Sequence, residues 1–227
     1  MDQLADLVAV VVLMHYTNRM VAVFLNEVPL PSHVPGWMLD PVARRLGRII
    51  GDADGRVRAA APATASPTTP VPDLWWTASR EALRDAFTGA ATVIEQAGTR
   101  TVPAPVREML DRELDGWSGQ QRELDLSWAA DACSSLPVAD QATGRLVLLF
   151  AFAPYRVDRA DLVATGAGDR ELVEIGAWAS LTTARRVGSR LARSSGHSSH
   201  HEARTRSTTR RAGRSTPGAR PDVTIVS

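Results

Sequence analysis

Lysine is missing altogether from this 227-residue chain: all 26 basic residues are arginine. No Schiff-base lysine and no phosphate-gripping P-loop lysine is therefore available. Cysteine is nearly as scarce. Cys133 stands alone, which excludes an intramolecular disulfide and a zinc cage built from thiolates. A single thiol fits a reducing, cytoplasmic setting. A long uninterrupted apolar run is lacking too. Leu7–Met14 follows Asp2 and Asp6 instead of a basic segment and leads straight into His15, Asn18 and Arg19. About 20 apolar residues are needed to cross a bilayer, so the stretch is read as a buried helix of a soluble protein with no membrane partner. Alternating period-two segments are absent before Val223–Val226, which argues against a sheet.

What is present can fill a core. Hydrophobic residues make up 44% of the chain, enough for one or two compact domains. The net charge of +1 hides an asymmetry, because residues 193–227 carry seven Arg against Glu202 and Asp222, a net of +5. Residues 1–192 are left at −4 and offer no footprint for specific nucleic-acid binding. The basic tail can attract polyanions only weakly. It is rich in Arg, Ser, Thr, Gly and His, without a large apolar residue before Val223, and is expected to be disordered.

Helical periodicity organises the rest. A first helix is predicted over Leu4–Leu25, followed by a connection through Pro29, Pro31, Pro35 and Gly36 and a short helix over Asp40–Ile50. Residues 59–72, rich in Ala, Pro and Thr, read as a linker between two units. Beyond it, Thr77 or Ser79 caps a helix reaching Ala97, with Leu83, Phe87, Ala90, Val93 and Ile94 on its stripe. Further helices follow over Pro103–Trp117, Leu126–Ser135, Val138–Ala153, Asp158–Thr165 and Asp169–Arg193. Gly166-Ala167-Gly168 lacks the preceding strand that a dinucleotide fingerprint requires and reads as a turn. Trp75 and Trp76 are expected to anchor the linker onto the helices.

Candidate chemistry is sparse. His15, Tyr16, Asn18 and Arg19 form the densest polar cluster on an apolar helix. His15, Asn18 and Arg19 stand three and four residues apart and share a face, where they can line a pocket and supply a base, an amide and a fixed cation. The competing reading pairs Arg19 with a carboxylate and leaves His15 as a satisfied core or interface histidine. That reading is favoured, since one helix supplies only half a site. Cys133 has no second cysteine nearby and has Asp131 beside it, which makes it an inert core thiol. His197, His200 and His201 have metal-binding spacing but sit in the Ser-rich tail without preorganisation, so no metal site is assigned. No residue pattern calls for a cofactor. The carboxylates Asp111, Glu113, Asp115, Asp169, Glu171 and Glu174 are explained by solvated helix faces.

The first helix also aligns with Asp169–Leu191 at an offset of 166 residues, placing Thr17, Arg19, Val21 and Leu25 on Thr183, Arg185, Val187 and Leu191. This order of features is consistent with an internal duplication. Three stretches, His15–Leu25, Arg145–Asp158 and Leu172–Gly188, resemble the AhpD-like alkylhydroperoxidase, or carboxymuconolactone decarboxylase, family in its two-repeat form. The resemblance implies an all-α helical bundle of two repeats, the first incomplete. Residues 1–58 would be the trailing part of the first repeat, 59–72 the linker, 73–192 the second repeat and 193–227 the tail.

The resemblance also implies a homo-oligomer and a thiol reductant as partner. Family peroxidases carry Cys-x-x-Cys at a helix start, followed by His, with a Glu relaying protons; the decarboxylases use acid–base groups on a lactone. This chain has no Cys-x-x-Cys. In the second repeat the motif's place falls on Tyr155, Arg156 and Asp158, and in the first it falls ahead of Met1. The expectation is an inactive relative of the peroxidases, either truncated or with a misassigned start. A helical scaffold or oligomerisation module, and a cysteine-independent lactone decarboxylase, are the alternatives. No catalytic residue carries over; His15, Tyr16, Asn18 and Arg19 are carried only as pocket lining.

Overall fold

The computed structural model describes residues 2–27, 71–123 and 125–212, with side chains over 2–23, 71–123 and 125–195. Among these residues every regular element is helical and none is a strand, so the all-α expectation holds. The Asp40–Ile50 helix, most of the 59–72 linker and residues 213–227 lie outside the described residues.

Helix α1 spans Asp2–Glu27. An apolar run turning about 100° per residue wraps the whole helix, and one neighbouring surface can cover only part of it. Val8, Ala9 and Val12 are buried, whereas Leu7, Val10, Leu13 and Met14 are more than half exposed. The reading of Leu7–Met14 as a buried stretch is corrected accordingly. By length and composition Asp2–Val23 is apolar enough to cross a membrane. Its inner face, however, packs against the last helix and against a 3-10 turn at Pro72–Thr77.

That turn begins at Pro72, assigned above to the linker. Trp76 is buried and meets Phe87 edge-on at 5.3 Å, while Trp75 Nε1 donates to Ser189 Oγ at 3.2 Å. The tryptophan pair thus anchors the chain, as expected. Helix α2 spans Glu81–Thr101, starting at Arg80 without a side-chain cap. Thr77 does not cap it: its hydroxyl donates back to Leu74 O at 2.7 Å. The buried stripe runs through Phe87, Thr88, Ala91, Ala97 and Gly98. Val93, placed on that stripe by spacing, is 61% exposed, because the close approach centres on Gly98 and rotates the helix.

Helices α3 (Ala104–Gly116), α4 (Ser127–Cys133) and α5 (Val138–Phe152) follow. Pro105 lies in the first turn of α3, where a missing amide hydrogen costs nothing. Val106, Met109, Leu110 and Leu114 are buried on the predicted face. After α5 comes a 3-10 turn at Pro154–Arg156 and then α6, Arg159–Ala164. Asp158 caps α6 with a reciprocal box: it accepts from Asp161 N at 2.9 Å and its own amide donates to Asp161 at 3.2 Å. Gly166, at φ +67°, makes the turn into α7. Helix α7 spans Asp169–Ala212, reaching beyond the Arg193 end predicted for it. Arg and Ala favour the helix and most of the tail's Ser and Thr are neutral to mildly unfavourable; low apolar content alone does not end it.

One apolar cluster surrounds α5, whose Leu146, Val147, Leu148, Leu149 and Ala151 are fully enclosed. A second lies between α1, the first 3-10 turn, α2 and α7, and Ile94 borders both. Glycine sets the interhelix approach. A Cβ on Gly98 would overlap the indole of Trp178, and one on Gly176 would lie 2.6 Å from Phe150 Cζ. The indole is buried and cannot retreat. Gly98→Ala is therefore expected to lower unfolding stability by about 1–3 kcal/mol despite alanine's better helix propensity, read as a fall in the urea midpoint at unchanged slope.

Candidate functional site

Arg19 is only 8% exposed and lies on the inner side of α1. Its Nε donates to Ala151 O at 3.1 Å, one of the last carbonyls of α5. Those carbonyls lack intrahelical donors and carry the negative end of the helix dipole, so a cation there is stabilising. Nη1 donates to His15 O at 3.1 Å and lies 2.9 Å from His15 Nδ1. A guanidinium has only donors, so Nδ1 is the acceptor and His15 is the neutral tautomer with its proton on Nε2. Burial lowers the Arg19 pKa to about 10. Burial, and then the Arg19 charge, hold His15 below its ordinary 6.5, and burial raises Tyr16.

His15 and Arg19 thus meet, while Asn18 is exposed and takes no part. The partner of Arg19 is a helix end and an imidazole, in place of the expected carboxylate. Pairing through carbonyls has no sequence signal, since Ala151 contributes only backbone. The second candidate group lies at the same end of the body, because α1 packs on the Pro154–Arg156 turn. Tyr155 and Arg156 are exposed, with Tyr155 OH receiving a long 3.4 Å contact from Gln121 Nε2. Asp158 acts as the cap of α6, and its partner Asp161 accepts from Arg145 Nε at 2.8 Å. Of these three residues Asp158 is a structural cap, and none is a thiol.

Cys133 is 4% exposed, with Sγ 4.0 Å from Met109 Sδ. Burial raises its pKa to about 11, so the thiolate is scarce at neutral pH. Among the described residues no group of three or more His, Cys, Asp or Glu has metal-binding placement.

The structure assembles a further polar site that the sequence does not flag. A cleft of about 870 Å³ opens between α2, α3 and α7 and is lined also by Val71 and Pro72. Arg185 spans it and grips Asp73 with two bonds, Nε at 2.9 Å and Nη2 at 2.8 Å. Glu95 accepts from Trp178 Nε1 at 3.3 Å. Asp111 also lines the cleft; burial raises its pKa and the Arg186 charge opposes that. Asp111 keeps the solvated position assigned to it while lining the cleft, whereas Glu174 is a mostly covered ion-pair partner of Arg100 and Arg170. Partners such as Asp73 and Arg185 are too far apart in sequence for any local pattern to join them.

The depressed His15 pKa has a directional consequence. The unfolded chain takes up the proton first as pH falls below about 6.5, so the stability linked to a neutral His15 is complete above that value and lost on acidification. The denaturation midpoint is expected to drop between about pH 7 and about pH 5, and His15→Gln should flatten that slope.

The chain is 28% identical over 193 residues to a Mycobacterium tuberculosis protein named alkyl hydroperoxide reductase Rv2159c, an alignment covering 82% of this chain and 55% of that relative. The chain therefore spans about 55% of the length of the curated relative it matches. No family profile and no solved structure matches it. The positions paired by the offset of 166 sit in unlike settings, with Arg19 on a helix end and Arg185 on Asp73. The chain, all-helical among the described residues, is thus similar to that alkyl hydroperoxide reductase as a distant relative.

Proposed function

We propose that this chain is an AhpD-like helical module that does not itself reduce hydroperoxides through a thiol and that works by self-association. The carrying observation is the state of Cys133. Thiol-dependent reduction of a hydroperoxide transfers one oxygen to a thiolate, giving a sulfenic acid and an alcohol, and a second thiol then condenses with it, releasing water. The first step is opposed by burial of Cys133 and a pKa of about 11. The second has no partner thiol within this chain. A lactone decarboxylase reading is weaker, since His15 Nδ1 is already engaged by Arg19 and could act as a base only by giving up that bond.

The outer face of α1 supports self-association. Leu7, Val10, Met14 and Val21 are 40–58% exposed, and with Thr17 they recur alternately at three and four residues. This is the seam by which two helices interlock. A contiguous exposed apolar stripe marks an interaction surface, and a second copy of α1 carries the matching stripe.

Two outcomes are expected. Supplied with a dithiol reductant and an alkyl hydroperoxide, the purified chain should consume peroxide at the rate of the protein-free blank, as should Cys133→Ala; turnover by the unmodified chain would refute the reading. In sedimentation velocity the chain should run as a dimer or larger. Leu7→Glu combined with Met14→Glu should shift it to monomer with unchanged helical content. A wild-type monomer would sink the self-association, and tight binding to lipid vesicles by such a monomer would assign the stripe to a membrane surface instead.

A further inference from the structure

The cleft between α2, α3 and α7 holds one guanidinium without a carboxylate partner among the described residues. Of its four arginines, three are matched by carboxylates: Arg100 by Glu174 at 3.2 Å, Arg185 by Asp73 at 2.8 Å and Arg186 by Asp115 at 2.9 Å. Arg107 has no carboxylate partner among the described residues. Its Nη1 donates to Thr99 Oγ1 at 3.3 Å, and its Nε is buried with no hydrogen-bond partner. A guanidinium donor withdrawn from water and left unmatched is an unfavourable state that an anion relieves.

Its surroundings limit which anion. Asp73, Glu95 and Asp111 line the same cleft, so a compact dianion such as phosphate meets repulsion, whereas a single carboxylate with a nearby donor meets complementary groups. Glu95 and Asp111 are about half exposed and sit in long, 3.9 Å ion pairs with Arg185 and Arg186, which leave them open to a further cation, and Asp111 stands one turn along α3 from Arg107. Val71, Pro72, Ala91 and Trp178 supply apolar wall.

The frame is preorganised. Trp178 is pinned by its bond to Glu95 and by contact with Gly98, Arg185 is clamped by Asp73, and the Thr99 hydroxyl is tied to Glu95 O at 2.9 Å. The volume, about 870 Å³, lies within the usual range for small-molecule sites.

We propose that this cleft binds a small amphoteric carboxylate with an apolar side chain, its carboxylate held by Arg107 beside Thr99 and its amino group facing Glu95 and Asp111. Calorimetric titration of the full chain with L-phenylalanine, phenylpropanoate and inorganic phosphate tests it. Saturable binding of L-phenylalanine is expected, tighter than phenylpropanoate, with no saturation by phosphate. Arg107→Gln should weaken the amino acid by about tenfold or more, and Glu95→Gln should erase the preference over phenylpropanoate, both at unchanged helical content. The proposal is overturned if L-phenylalanine does not saturate the chain, if Arg107→Gln binds it equally well, or if phosphate binds as tightly.

Discussion

Enclosure of α5 governs the rest of the body. The C-terminal half of α5 is apolar on every side and has no face to offer water, and Leu146 to Leu149 are each without exposed surface. Covering them requires helices all around, which α3, α4, α7 and the end of α1 provide. Such a helix also ends in carbonyls that need donors away from solvent. Arg19 answers that need through Ala151, which explains why a charged residue lies deep in the body and why α1 is held at that end. The candidate cluster read from the sequence is therefore first a device for closing a helix end. Its chemistry, a neutral imidazole oriented by a cation, follows from the same arrangement.

Residues that act through large side chains at regular spacing are legible in the sequence. The buried face of α3, the dense core run of α5 and the tryptophan anchor fall where periodicity places them. Asp158 and Asp161 form a local capping box, and the helix start expected at Asp158 lies within one residue of α6. Contacts made through backbone atoms or across long sequence distances are not legible. Arg19 finds Ala151, and Arg185 finds Asp73, only after the helices are assembled. Burial on α2 deviates from the spacing of its large residues because Gly98, a residue with no side chain, decides which face touches Trp178. The division of α1 into a packed face and a bare one likewise depends on which neighbours exist, which an apolar run cannot encode.

The polar groups are gathered in two places of different character. At the α1–α5 junction they are spent on one another and on backbone, leaving little to offer a substrate. In the α2–α3–α7 cleft Arg100, Arg185 and Arg186 are paired with carboxylates, whereas Arg107 has no carboxylate partner among the described residues. If this chain recognises a small molecule, the cleft is the better-built place for it. Distant kinship to an alkyl hydroperoxide reductase does not by itself carry that enzyme's chemistry to this chain, whose one sulfhydryl faces Met109.

That sheltered sulfhydryl gives the body an internal clock. Cys133 sits where α4 meets α3 and α5, close to Met109, Leu136 and Gly144. A thiol reagent reaches it only when those helices part, so the labelling rate at fixed pH counts excursions of the central core and not fraying at the chain ends. With no second cysteine in the sequence, the signal comes from one position. Disturbances at the α1 seam or in the cleft can then be judged by whether they quicken the opening of a core they do not touch.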